Sequence, residues 1–252
     1  MHEIEMHEMT EDFFPCWKVA GIHLSKQVDG GIQSWLRAHP YPPFLEHLSF
    51  RLGNQIYFVR IEDEDGRLRV PGSRKGLLAV AQGCAGHTCL MPMRKRLGSW
   101  RPTAPGWGLV DIRTGLPVDP PELVTDEPVE MTDWELHDLA VQVVREQLES
   151  ESRQLMSWQS NPGVDPSIWF VGDHGPEWVV VRAARYATDP VVDDTAKLPP
   201  NIDQIARDCA RTGRVGHFAA VTVACTDTMA GDGRLLRGHR QFPMYAGLAP
   251  VK

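Results

Sequence analysis

The sequence has no basic, apolar leader: it opens on the acidic MHEIEMHEMTEDFF, where a secretory signal needs a cationic start and a transit peptide needs arginine without acid. No uncharged apolar run approaches the ~18 residues of a membrane span. Paired cysteines are also missing, because the five present, at 16, 84, 89, 209 and 225, are odd in number and scattered. That pattern reads as free thiols in a reducing compartment, and we expect a soluble, cytoplasmic protein with no membrane contact. A positive balance is absent as well. The net charge of −7 and pI near 5.8 do not favour a nucleic-acid partner, whose phosphates would be met by cations.

Familiar catalytic signatures are missing too. GWGLVD lacks a third glycine, GDGRLLRG has the wrong spacing, and there is neither a Gly-Lys-Ser/Thr loop nor a GxSxG elbow. EDEDG at 62–66 lacks the alternating oxygen ligands of a calcium loop, and reads as an Asp-Gly hairpin turn between VRIED and GRLRV. Cys84, His87 and Cys89 are the only clustered soft ligands, with Met91 and Met93 nearby. Zinc wants four ligands, so they make a weak metal candidate, and no metal is expected there.

What is present is an average globular composition, 42% hydrophobic and 23% charged over 252 residues, enough for two domains. The charge is uneven. Residues 60–101 hold nine Lys or Arg against four acids, whereas 111–151 hold twelve acids against Arg113 and Arg145. The Pro- and acid-rich stretch 106–130 reads as a linker, which divides the chain into an N-terminal extension (1–19) and two halves, 20–127 and 128–252. Just after the cut, Thr132 and Glu135 form a capping-box pattern, followed by Leu136, Leu139, Ala140, Val143, Val144 and Leu148 at helical spacing. SIWFVG and EWVVVRAARY read as a hairpin, Asn201 as the cap of a second helix, and GHFAAVTVAC and FPMYAGLAPV as closing strands.

The first half repeats this order. Phe50 matches Phe170, Arg60 matches Arg182, His87 matches His217 and Gly108 matches Gly247, at offsets of 120, 122, 130 and 139. We therefore expect an α+β protein of two similar halves, each a small mixed or antiparallel sheet covered by helices and related by duplication.

Two resemblances follow. The order of Glu135 on a helix, Asp165 before a strand, Glu177 heading the next strand, then helix and strand, resembles the core of the PD-(D/E)xK nucleases. That resemblance implies Mg²⁺ held by carboxylates, with a lysine activating water. Here Val179 follows Glu177 at two residues and Arg182 is the strand's own cation, so the site is degenerate. YPPFLEHLSFRLGNQ and DPSIWFVGDHGPEWVVVRA resemble an uncharacterised bacterial family of mobile genetic islands.

The leading expectation is a non-catalytic accessory protein without a cofactor, binding a protein partner through a charged surface. Arg94, Lys95, Arg96 and Arg101 in a mobile, turn-like segment, with Trp100 and Trp107 beside them, are its candidate contacts. Within the fold, these cations would meet the acidic segment 119–138. The alternative is a divergent metal-dependent nuclease using Glu135, Asp165 and Glu177, with Arg182.

Overall fold

A computed structural model describes residues 11–32, 34–37, 47–173, 175–186, 196–225 and 234–251. The chain divides into two compact units, Met1–Pro128 and Val129–Lys252.

The first unit starts with α1 (Phe13–Ser25), which buries Phe13, Cys16, Trp17, Ala20 and Leu24 at helical spacing. The stretch 1–19, expected as an N-terminal extension with no helix assigned to it, thus holds the first half of this helix, and its residues 1–10 lie outside the described ones. The helix shows little polar alternation and has no capping side chain, since Asp12 makes no cap hydrogen bond. Its stripe nevertheless forms core with the sheet residues Phe50, Tyr57, Val59, Ile61, Cys89, Met91 and Met93.

The sheet runs β1 (Ser34–Arg37), β2 (Leu48–Leu52), β3 (Gln55–Asp63), β4 (His87–Arg96) and β5 (Ser99–Pro102), with β6 (Val110–Asp111) also paired to β4. β3 and β4 are parallel because α2 (Arg74–Gly83) crosses between them, capped by the Ser73 side chain. The hairpin expected at 62–66 therefore does not form. Asp63 instead accepts the backbone N–H of Asp65 and Arg67, turning the chain toward α2. A short α3 (Pro120–Leu123) follows β6.

The second unit repeats the plan: α4 (Asp133–Ser150), then β7 (Gln154–Trp158), β8 (Ile168–Gly172), β9 (Gly175–Arg185), α5 (Ile202–Cys209), β10 (Val215–Cys225), β11 (Gln241–Tyr245) and β12 (Ala249–Pro250). β9 and β10 are parallel, and β12 pairs β10 as β6 pairs β4. The capping box on α4 is complete, with Thr132 accepting from the Glu135 N–H and Glu135 accepting from the Thr132 N–H. Asn201 stands at the N-cap of α5 without a side-chain cap bond. α4 covers one face of the sheet through Leu136, Ala140, Val141, Val144 and Leu148. α5 covers part of the other, where Ile205 and Cys209 meet Trp178, Val180 and Phe218.

The strand registers make the likeness of the halves residue-specific. Arg60 pairs with Leu90 beside the Tyr57–His87 pair, and Arg182 pairs with Ala220 beside the Val179–His217 pair, so both of those sequence matches hold. Phe50 is different. It pairs with Tyr57, and the residue paired with Val179 is Ile168, so Ile168 rather than Phe170 takes its place. The β8–β9 hairpin extends further beyond this point than β2–β3, and that extension shifts Phe170 outward. The same register aligns Trp35 with Trp158, through their partners Phe50 and Ile168, and Pro102 with Pro243, through Met93 and Val223.

Candidate functional site

The residues of the nuclease reading fall into three separate pairs, Glu135–Arg237, Asp165–Arg182 and Glu177–His217. Glu135 and Arg237 are both buried in the second unit. Arg237 donates Nε to Oε1 at 3.0 Å and Nη2 to Oε2 at 2.7 Å, while Glu135 also closes the α4 cap. Asp165 receives two bonds from Arg182, at 2.9 and 2.5 Å. Glu177 lies 2.7 Å from His217 Nε2. Glu177, Val179 and Val181 alternate onto the α4 face of β9, and Trp178, Val180 and Arg182 onto the α5 face. Among the described residues, no three His, Cys, Asp or Glu side chains converge as a metal site. The carboxylates hold this unit together through charge-assisted bonds.

The weak metal candidates are likewise dispersed by the fold. Cys89 is fully buried under α1, and burial pushes its thiol up to about 12, with Asp111 adding to the shift. Cys84 is buried at the C-cap of α2. His87 Nε2 is 2.9 Å from Gln55 Oε1 and its ring stacks on Tyr57 at 5.0 Å. Gln55 is the counterpart of Glu177, so each unit ties its two parallel strands with a histidine bond at the same place.

The cationic candidates sit on a β-hairpin, not on a mobile turn. β4 continues through Arg96, pairs with Ser99, and reverses over Leu97 and Gly98, both at positive φ. The strands of the hairpin are held from within the unit, Arg94 and Lys95 by acids and Trp100 by the core. Trp100 and Trp107 belong to the α1 core, 5% and 6% exposed, and are not surface aromatics. Arg94 pairs with Glu64 at 2.7 Å. Lys95 reaches Asp12 at 2.8 Å and lies over the Trp100 ring. Both cations thus find their acids within the first unit, outside the segment 119–138. Arg96 and Arg101 are exposed, and Leu97 between them is fully so, at 106%.

The sequence reading missed His137. It lies buried on α4, and its Nε2 has no hydrogen-bond partner among the described residues. Burial and, secondarily, Arg182 lower its pKa from 6.5 to about 4, against Asp138 and Asp165. A histidine held neutral this way contributes stability that is full above pH 6.5 and disappears as the pH falls toward 4. The shift corresponds to about 3 kcal/mol. Chemical denaturation between pH 7 and 4 is therefore expected to show a loss of that order in the second unit, which His137→Leu should flatten.

Residues 134–251 match the family model of a domain of unknown function, DUF8840. The DUF8840 match runs from α4 to β12 and so takes in the second unit, which carries the Glu135–Arg237, Asp165–Arg182 and Glu177–His217 pairs. Neither a curated protein nor a solved structure matches the chain. No helix among the described residues is long and apolar enough to cross a membrane.

Proposed function

We propose that the chain is a non-catalytic accessory protein of the bacterial cytoplasm that binds a protein partner through the β4–β5 hairpin of its first unit. The observation that carries this reading is the hairpin tip. Leu97 is fully exposed at φ 48°, a conformation that bulky side chains adopt at a cost, between the exposed Arg96 and Arg101. Asp12, Glu64 and the buried Trp100 brace the strands behind it. A braced apolar tip with flanking cations suits a partner that offers an apolar pocket rimmed by acids. Five free, buried cysteines are compatible with a reducing compartment.

Because Arg96 and Arg101 have no role in the core, Arg96→Glu with Arg101→Glu is expected to change stability by less than ~0.5 kcal/mol. The same change should abolish capture of the partner. Arg94→Glu, which removes the Glu64 pair, should cost stability, and less so at high salt. Against the enzyme alternative, Mg²⁺ or Mn²⁺ should leave the melting temperature unchanged and plasmid DNA unnicked. A metal-dependent rise abolished by Asp165→Ala would favour the nuclease.

A further inference from the structure

The first unit carries a complement to its own hairpin tip. Val28 and Asp29, just past the end of α1, line an open pocket of about 480 Å³ together with Leu52, Trp107, Pro121 and Val124. Its outer wall is fixed in place. Tyr57 donates its hydroxyl to the Pro120 carbonyl at 3.0 Å, and Asn54 donates to Thr125 Oγ1 at 2.9 Å and to the Glu127 carbonyl at 2.8 Å. Val124 closes on Gly53, where a Cβ would stand 2.5 Å from its Cγ1, yet Val124 is still 37% exposed and Leu123 beside it 38%.

The charges that flank this pocket are acids. Asp29 lines it, Glu122 stands between Pro121 and Val124, and Asp126 follows two residues on; all three are exposed, and none has a cationic partner among the described residues. The tip carries the opposite set, the fully exposed Leu97 between Arg96 and Arg101, which are exposed and without an acidic partner among the described residues. Strand direction keeps the two apart within one chain. The pocket lies at the Gln55 end of β3, which is the His87 end of β4 because Tyr57 pairs with His87, whereas the tip follows Arg96 at the other end. The ten residues of β4 put ~30 Å between them.

An apolar side chain between two cations on one surface and an apolar pocket between acids on another are complementary in shape class and in charge. We infer that the hairpin tip of one copy docks into the acid-flanked pocket of a second copy of this chain. Leu97 enters between Trp107 and Val124, and the guanidiniums of Arg96 and Arg101 meet the carboxylates of Asp29, Glu122 and Asp126. Because tip and pocket are different surfaces, the contact runs head to tail, and the outer copies keep a free tip and a free pocket for more copies. One apolar anchor with flanking ion pairs is a small interface, so assembly is weak, grows with protein concentration and recedes with salt. This inference rests on the reading of the hairpin as a protein-binding element, and deepens it by naming the partner.

The test is analytical ultracentrifugation of the full chain over ~5–500 µM, a range suited to a small interface. The weight-average mass should rise past that of a dimer at the top of the range, and return toward the monomer in ~0.5 M salt. Arg96→Glu with Arg101→Glu reverses the tip, and Asp29→Lys with Glu122→Lys reverses the pocket. Each variant alone should stay monomeric, with its fold retained by circular dichroism. An equimolar mixture of the two should assemble again, because the intact tip of one meets the intact pocket of the other. A wild type that stays monomeric throughout, a pocket variant that assembles as the wild type does, or a mixture that stays monomeric would overturn the inference. In each of those cases, capture of a different host protein that the tip variant loses leaves the hairpin as a binding element and removes only the second copy, whereas absence of any capture removes both.

Discussion

Replacing Arg237 by methionine is expected to destabilise the second unit by about 3–5 kcal/mol, because it removes the buried guanidinium that neutralises the buried Glu135 carboxylate. A loss of that size amounts to a fall in melting temperature of about 10 °C or more for a unit of this length. The partner, at 2.7 Å, is removed from a site with almost no solvent to replace it. Glu135 keeps its bonds to Thr132 in that variant, but the bidentate guanidinium is gone. Adding Glu135→Gln should recover part of the loss, since the amide carries no charge and still accepts the Thr132 N–H. Thermal melts of the wild type, the two single variants and the double variant measure the coupling. The result also separates two roles for Glu135. As a structural anion it makes each single variant unstable, whereas as a catalytic ligand it would leave stability unchanged or raised on removal.

Gly216→Ala should be as damaging. A Cβ at this position would stand 2.2 Å from Trp178 Cζ2 and 2.3 Å from Cη2. The indole has no room to withdraw: it is 1% exposed, packed among Val180, Ile205, Cys209 and Phe218, and held by its Nε1–H bond to the Gly213 carbonyl at 3.2 Å. The expected cost is about 3 kcal/mol, at the upper end of what overpacking a core brings. The equivalent glycine of the first unit offers a graded control. At Gly86 the new carbon would lie 2.8 Å from Phe58 Cε2, a shallower overlap with a ring that is 5% exposed, so Gly86→Ala should cost clearly less. Urea titrations of the two variants give the order, and a harmless Gly216→Ala would mean that Trp178 does not lie across this strand.

The two glycines also show what could be read from sequence. Gly-His at the start of a β-branched strand is visible in both halves, and it marks a real equivalence because the histidine ties the parallel strands while the glycine admits an aromatic ring. Arg60 and Arg182 were legible for the same reason, each fixed in the middle of a strand. Phe50 and Phe170 were matched by identity alone, and the longer β8–β9 hairpin defeats that match, since hairpin length sets register and leaves no mark on a single aromatic. Helix α4 was legible through its cap. α1 was not, although positions 13, 16, 17, 20 and 24 carry a helical stripe, because Pro15 and the lack of interspersed charge mask it.

Sites were less legible than elements. Charge signs along 94–101 were readable, but whether a cation is free or tethered depends on Glu64 and Asp12, which are distant in sequence. Trp100 and Trp107 resembled loop aromatics because glycine and proline surround them, yet Trp100 on β5 and Trp107 in the turn before β6 both pack into the core. The buried partner of Glu135 lies 102 residues away, and nothing local to Arg237 announces it. The acid-flanked pocket brings Asp29 and Val124 together from distant parts of the chain, so spacing within either segment does not reveal it.

The most direct measurement of the binding function places a photo-crosslinking amino acid at Leu97, the fully exposed tip of the hairpin, and irradiates cells of the native host. The account predicts one discrete crosslinked protein that disappears when Arg96 and Arg101 are changed to glutamate. No crosslinked product, or one that persists unchanged in that variant, would contradict it.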